Sequence, residues 1–300
     1  MLFETKNINV DELKSDLLLK KNVQLMVARL DKIHPVISGN KLFKLHYFLK
    51  EAMLYQRPVV TFGGAYSNHL VATAYACKIA GLACTGIVRG EVSKSLSSTL
   101  LHCRQHGMHL EFISREKYSA IANQSFTPFI EGIAKNALII PEGGFNPAGA
   151  EGAALIMNSL QKYDPDFICI ATGTATTLAG VLQAALPGTE IIAVPVLKNF
   201  SDISERLLYL NGKAHYSNLH IWDDYHFGGY AKKTPELLDF MNGLYKTHQV
   251  PTDFVYTAKL LFAVMDKIKN NWFPQNSKIL CLHTGGLQGN HSLPGGSLIF

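Results

Sequence analysis

The stretch FICIATGTATTLAG, residues 167–180, decides the fold. Its first five residues are apolar without a break. A strand with one wet face would alternate, so this run reads as a strand buried on both faces. The glycine- and threonine-bearing segment 172–177 then leads into an apolar helical pattern that begins near Leu178. Strand, tight loop and helix in this order make half of a βαβ unit. The same grammar recurs, with short apolar runs at 58–62, 83–88, 137–140, 190–194 and 279–283 and helix-length segments between them. The prediction is an α/β protein of parallel-rich sheets flanked by helices.

Composition agrees. The 300 residues are 47% hydrophobic and 17% charged, enough apolar chain for a large core and far from the signature of disorder. The net charge of +5 comes from 28 basic against 23 acidic residues with the signs interspersed. The densest basic stretch, 14–21, holds only Lys14, Lys20 and Lys21 around apolar residues, so no nucleic-acid partner is expected. The longest apolar stretch, 70–88, is broken by Lys78 and Gly81 and reads as helix, turn and strand rather than a membrane span. The N-terminal residues mix acids and bases and show no secretory pattern. Five scattered cysteines, never in C-x-x-C, suit a reducing compartment, and a cytoplasmic location with no membrane partner is expected. No linker or low-complexity tract marks a domain boundary.

Ligands of open α/β folds bind beyond the carboxyl ends of the strands, which directs attention to the segments after the apolar runs. The 172–177 loop offers backbone N–H groups at a helix start and the hydroxyls of Thr174, Thr176 and Thr177, with Gly173 permitting close approach. It is either an anion cup for a phosphate or a threonine-rich helix cap. No lysine follows the glycine, so it is not a P-loop, and G-x-G-x-x-G is absent. In GGAYSNH (63–69), Ser67 or Asn68 caps the helical run 70–80. The same helix start attracts a carboxylate, with Ser67 placed to donate or shuttle a proton. Lys41, in SGNKLFKL (38–45), is either a solvated charge or, if buried beside a second cation such as Lys44, a neutral amine able to form a Schiff base.

SGNKLFKL, then GGAYSNH, then PEGGFNPAG (141–149), the threonine loop and HTGG (283–286) follow one family's order. Between about Arg29 and Gly286 the chain resembles the 1-aminocyclopropane-1-carboxylate deaminase and D-cysteine desulfhydrase family, pyridoxal-phosphate enzymes of the tryptophan-synthase-β-like fold. The resemblance implies pyridoxal 5'-phosphate as cofactor and a two-domain fold of type II, with residues 44–136 as a small domain between large-domain segments 1–43 and 137–300. It implies that Lys41 bonds the cofactor, Asn68 contacts its 3′-oxygen, and Gly173, Thr174, Ala175, Thr176 and Thr177 hold its phosphate, with Lys44 nearby. Ser67, with Asn68 and His69, falls on the substrate, and Tyr230 and Tyr256 fall on active-site tyrosines. Thr284 falls beside the pyridine nitrogen. His69 stands where a deaminase usually has Gln, and the basic-Arg-acid-Asp run appears only as ARLD (28–31).

Ring-opening relatives resemble a pattern with Glu after the Tyr256 position and Leu at the Thr284 position, whereas this chain has Thr257 and Thr284. A hydroxyl at the pyridine nitrogen makes a weaker electron sink than a carboxylate. The resemblance therefore favours β-elimination from a small, D-cysteine-like amino acid, then hydrolysis to a 2-oxo acid and ammonia. Ring-opening deamination, racemisation or dehydration on the same cofactor are the enzymatic alternatives, and a non-catalytic cofactor or amino-acid binder is the alternative of another class. A homodimer is implied by the resemblance alone. The histidines His102, His106 and His109 gather no obvious further ligand, so no metal is expected, and Asp223 with Asp224 reads as a turn.

Overall fold

A computed structural model describes residues 8–92, 95–123 and 127–300. Among the described residues the strands are β1 (Val10–Leu13), β2 (Gln24–Arg29), β3 (Val59–Gly63), β4 (Cys84–Arg89), β5 (His109–Ile113), β6 (Leu138–Ile140), β7 (Phe167–Thr172), β8 (Glu190–Pro195), β9 (Leu219–Ile221) and β10 (Lys278–His283). They form two sheets, ordered β1-β2-β10-β7-β8-β9 and β5-β4-β3-β6. Every pairing is parallel except β1 with β2. The expected α/β class holds, for the expected reason: β3 and β7 are buried along their whole length, whereas the edge strands β5 and β9 expose His109 and Ile221.

Residues 138–140 belong to the four-stranded sheet, since Val59 registers with Leu138 and Thr61 with Ile140. The chain thus leaves that sheet after Ile140, because the apolar run continues the ladder beside β3.

Two close approaches fix the segment that carries Lys41. Gly39, at φ 74°, donates its N–H to Leu30 O at 2.8 Å, and a Cβ on it would overlap the Thr284 carbonyl oxygen. The helix Pro147–Ala154 presses Gly152 against the Phe43 carbonyl so closely that a Cβ there would overlap its oxygen. The helix Lys41–Lys44 is thus wedged between the turn after β10 and a second helix. Below it, buried Arg29 is held by Asp31 (Nε–Oδ1 2.9 Å, Nη2–Oδ2 2.6 Å) and by Asp11 (Nη1–Oδ2 2.6 Å). Asp31 Oδ1 also lies 3.3 Å from His283 Nδ1, where the carboxyl ends of β2 and β10 meet.

Candidate active site

The segments after β3, β6, β7 and β10, with the end of β4, open into one cavity of about 500 Å³. Lys41, Lys44, Ser67, Asn68, His69, Gly173, Thr174, Ala175, Thr176, Thr177, Tyr230, Tyr256 and Thr284 all line it. Residues separated by more than 240 positions in sequence are therefore brought to one wall system, with contributions from both sheets.

Lys41 Nζ donates to Asn40 Oδ1 at 2.9 Å, and Asn40 Nδ2 donates to Thr177 Oγ1 at 2.8 Å. One amide thus links the amine to the threonine loop. Burial lowers the Lys41 pKa from 10.5 to about 8, with the Asp253 carboxylate opposing the shift. Lys44 is buried, donates to Gly143 O at 3.1 Å, and is pushed well below its ordinary value by burial and then by Lys41.

Two helices begin at the cavity. In the helix Thr176–Ala184 the preceding Ala175 takes a left-handed conformation (φ 64°) and offers no capping side chain, so the first N–H groups face the cavity without one. Thr174 and Thr176 hydroxyls lie 2.9 Å apart beside them. The helix Asn68–Ala80 is capped by Ser67, whose Oγ accepts from Leu70 N at 3.3 Å and keeps its own hydroxyl proton to donate. Both helix starts favour anions, and they address different parts of the cavity wall. Behind the second, His69 is buried and its Nε2 lies 2.9 Å from Thr61 Oγ1, which itself donates to Ile140 O at 2.9 Å. The one hydroxyl proton of Thr61 being engaged, Nε2 carries the imidazole proton. Burial, and then Lys41 and Lys44, hold the ring neutral by pushing its pKa well below 6.5.

The tyrosines meet across the opening, with ring centroids 6.1 Å apart at 73°. Burial raises both pKa values, that of Tyr256 further, so both stay protonated near neutrality. Tyr230 lines the cavity and is half exposed. Two buried residues set this pair. Asp253 accepts the N–H groups of Val255, Tyr256 and Thr257 at 2.8–3.0 Å and the Thr257 hydroxyl at 2.7 Å, which starts the helix Thr257–Lys269. Lys259, on that helix, donates to His226 O and Gly229 O at 2.8 Å each and so pins the loop that presents Tyr230. Neither was singled out from sequence. Asp253 followed by Thr257 four residues on is a legible cap signal, whereas nothing marks Lys259 before its burial is known.

Thr257 is therefore not on the cavity; its hydroxyl is spent on Asp253. Arg89, Glu142, Thr172 and Arg206 also line the cavity and were not expected there.

An α/β cleft with a buried amine of lowered pKa and two anion-attracting helix starts has the features of a cofactor-dependent enzyme site. The chain belongs to the pyridoxal-phosphate dependent enzyme family, whose model matches residues 13–285. It is 30% identical over 307 residues to the Bifunctional D-cysteine desulfhydrase/1-aminocyclopropane-1-carboxylate deaminase, mitochondrial, of Arabidopsis thaliana, covering 90% of this chain and 74% of that one. It is 25% identical to the D-cysteine desulfhydrase of Salmonella choleraesuis, with 85% of each chain covered. A crystal structure described as that of an ACC deaminase homologue superposes with a TM-score of 0.79 at 24% identity, covering 96% of this chain and 92% of that one, which establishes the shared fold.

The cavity fits the family's cofactor on its own evidence. Asn68 Oδ1 and Thr172 Oγ1 are buried on its wall without a hydrogen-bond partner, while Asn68 Nδ2 is committed to Gly286 O at 2.9 Å. Unpaired polar atoms of this kind are costly unless a ligand satisfies them. The Asn68 atom left over is an acceptor, which suits a ring hydroxyl written as a donor.

Proposed function

We propose that this chain uses pyridoxal phosphate to eliminate the β-substituent from a small, D-cysteine-like amino acid, giving a 2-oxo acid and ammonia. The bound cofactor supplies an electron sink that acidifies the substrate's α-carbon. Gly173, Thr174, Ala175, Thr176 and Thr177 would hold its phosphate at the helix start with Lys44 beside them. Asn68 would hold the 3′-oxygen, and Thr284 the pyridine nitrogen.

The remaining work falls to this chain's own groups. Lys41 Nζ, with a pKa of about 8, exchanges readily between amine and ammonium near neutrality and suits the role of base for the α-proton. Ser67 Oγ and the N–H groups behind it receive the substrate carboxylate, with Asn68 and His69 shaping the same wall. Tyr230 and Tyr256, held as phenols, can donate a proton to the departing sulfur. The observation that carries the choice of reaction is Thr284, a hydroxyl on the cavity wall, together with Thr257, whose hydroxyl is sequestered by Asp253. Ring opening of 1-aminocyclopropane-1-carboxylate is the second reading, favoured by the name of the Arabidopsis relative, which carries both activities.

The test is an absorbance spectrum of the purified protein with pyridoxal phosphate, borohydride reduction with peptide mapping, and product analysis. The reading expects a cofactor band, label on Lys41, and sulfide with pyruvate from D-cysteine. 2-Oxobutanoate from the cyclopropane acid without sulfide from D-cysteine would transfer the proposal to the second reading. The five buried free cysteines support a reducing, cytoplasmic setting, and no helix among the described residues is long and apolar enough to cross a membrane. The two sheets support a two-domain division with the second crossing after Ile140. A homodimer is part of the same reading, and light scattering at 33.1 kDa would reject it.

A further inference from the structure

Most charges on the cavity wall already have partners. Lys41 and Lys44 donate to Asn40 and Gly143, Arg206 lies 2.8 Å from Asp202, and the Asp253 oxygens take four donors. Two charges remain, both from the four-stranded sheet: Arg89 at the end of β4 and Glu142 just after β6. Among the described residues no ion pair joins either to any charged group.

A single buried residue positions them both. Tyr118 donates its hydroxyl to Glu142 Oε2 at 2.8 Å, and the Arg89 guanidinium carbon lies 5.6 Å from the centre of its ring. Burial, and then the Glu142 charge, push the Tyr118 pKa up, so it remains a donor. Tyr230 also feels both charges, Glu142 raising its pKa and Arg89 lowering it. The wall therefore presents a cation and an anion that form no ion pair with each other, flanking one aromatic ring. A ligand that satisfies both carries a carboxylate and an ammonium on one short unit, which is the head of an amino acid. The substrate's own carboxylate has its receptor at Ser67, so this pair is free for a second head.

We propose that Arg89 and Glu142 form a subsite for a second amino-acid head, carboxylate on Arg89 and ammonium on Glu142. The preferred substrates are then amino acids whose β-sulfur is bonded to another amino acid. The proposal rests on the β-elimination reading and names its substrate class.

The experiment compares kcat/KM of the cofactor-loaded protein for meso-lanthionine and for S-propyl-D-cysteine, which has the same chain length but neither distal charge. D-cysteine serves as the small reference. The wild type should prefer lanthionine by about tenfold or more, and Arg89→Met and Glu142→Gln should each reduce that ratio about tenfold. Because the ratio is taken within each variant, it does not depend on how much of the variant folds. Equal losses on both substrates would assign the pair to the substrate's own head group and overturn the proposal, as would a wild type without preference. A loaded protein that releases no pyruvate from D-cysteine or from either thioether overturns the elimination reading, and this proposal with it. Pyruvate from D-cysteine with an unchanged ratio in the variants overturns the subsite alone.

Discussion

Lys41, on the cavity wall, and Lys259, outside it, both have pKa values lowered to about 8 by burial, with Asp253 opposing the shift in both. They do different work. Lys259 is fully buried and spends its ammonium on two loop carbonyls, whereas Lys41 touches one side-chain amide and lines the cavity. A shifted pKa therefore locates a buried amine but not its role. The partners decide: backbone carbonyls make a structural clamp, an open wall leaves an amine accessible to a ligand.

The sharpest way to break this comparison is to remove each amine. Lys41→Ala should lower turnover of D-cysteine by about a thousandfold or more while the melting temperature holds, since only the reacting group is lost. A variant with near wild-type turnover would reverse the two assignments. Lys259→Met should cost about 1–3 kcal/mol, because two buried carbonyls lose their donor. It should also lower kcat about tenfold through misplacement of Tyr230, with cofactor uptake retained. Calorimetry and steady-state kinetics on one preparation check both effects.

The pH dependence sharpens the contrast. Below about pH 8 the Lys41 amine is protonated and cannot attack the cofactor's aldehyde; above it the amine is free. The rate at which apoprotein captures pyridoxal phosphate should rise about tenfold per pH unit below 8 and level off above it, as read by stopped-flow absorbance. Lys259→Met should leave the position of that bend within a few tenths of a unit, because its charge is compensated away from the cavity. The smallest effect expected is from Asp253→Asn. It should shift the bend to lower pH, since the carboxylate favours the ammonium of Lys41, and it should weaken the helix cap by about 1 kcal/mol.

What the sequence made legible follows from where physics is local. All six apolar runs became strands within a residue or two, because a strand buried on both faces writes itself as an unbroken apolar run. β1, β5 and β9 were missed because edge strands are short and partly polar, and β2 because QLMVAR has no Gly or Pro at its borders. Its boundary is set by Asn22 in a left-handed conformation at the end of the preceding helix. The candidate site was legible wherever a loop follows a strand, as with Ser67 and the threonine loop. Arg89, Asp253 and Lys259 were not, because their significance lies in partners that fold against them from distant segments. Nothing in the neighbourhood of Lys259 along the chain tells that it meets the His226 and Gly229 carbonyls.

The seat of Gly39 against the Thr284 carbonyl joins segments about 245 residues apart in sequence. During synthesis the Lys41 segment leaves the ribosome well before the surface that holds it, since Asn40 N also donates to Thr284 O at 3.0 Å and β2 waits for β10 as its neighbour. The Lys41 amine therefore acquires its environment only once β10 and the turn after it have been made. Products cut short before β10 carry the lysine without its surroundings, so loading with cofactor would double as a check that translation passed Thr284.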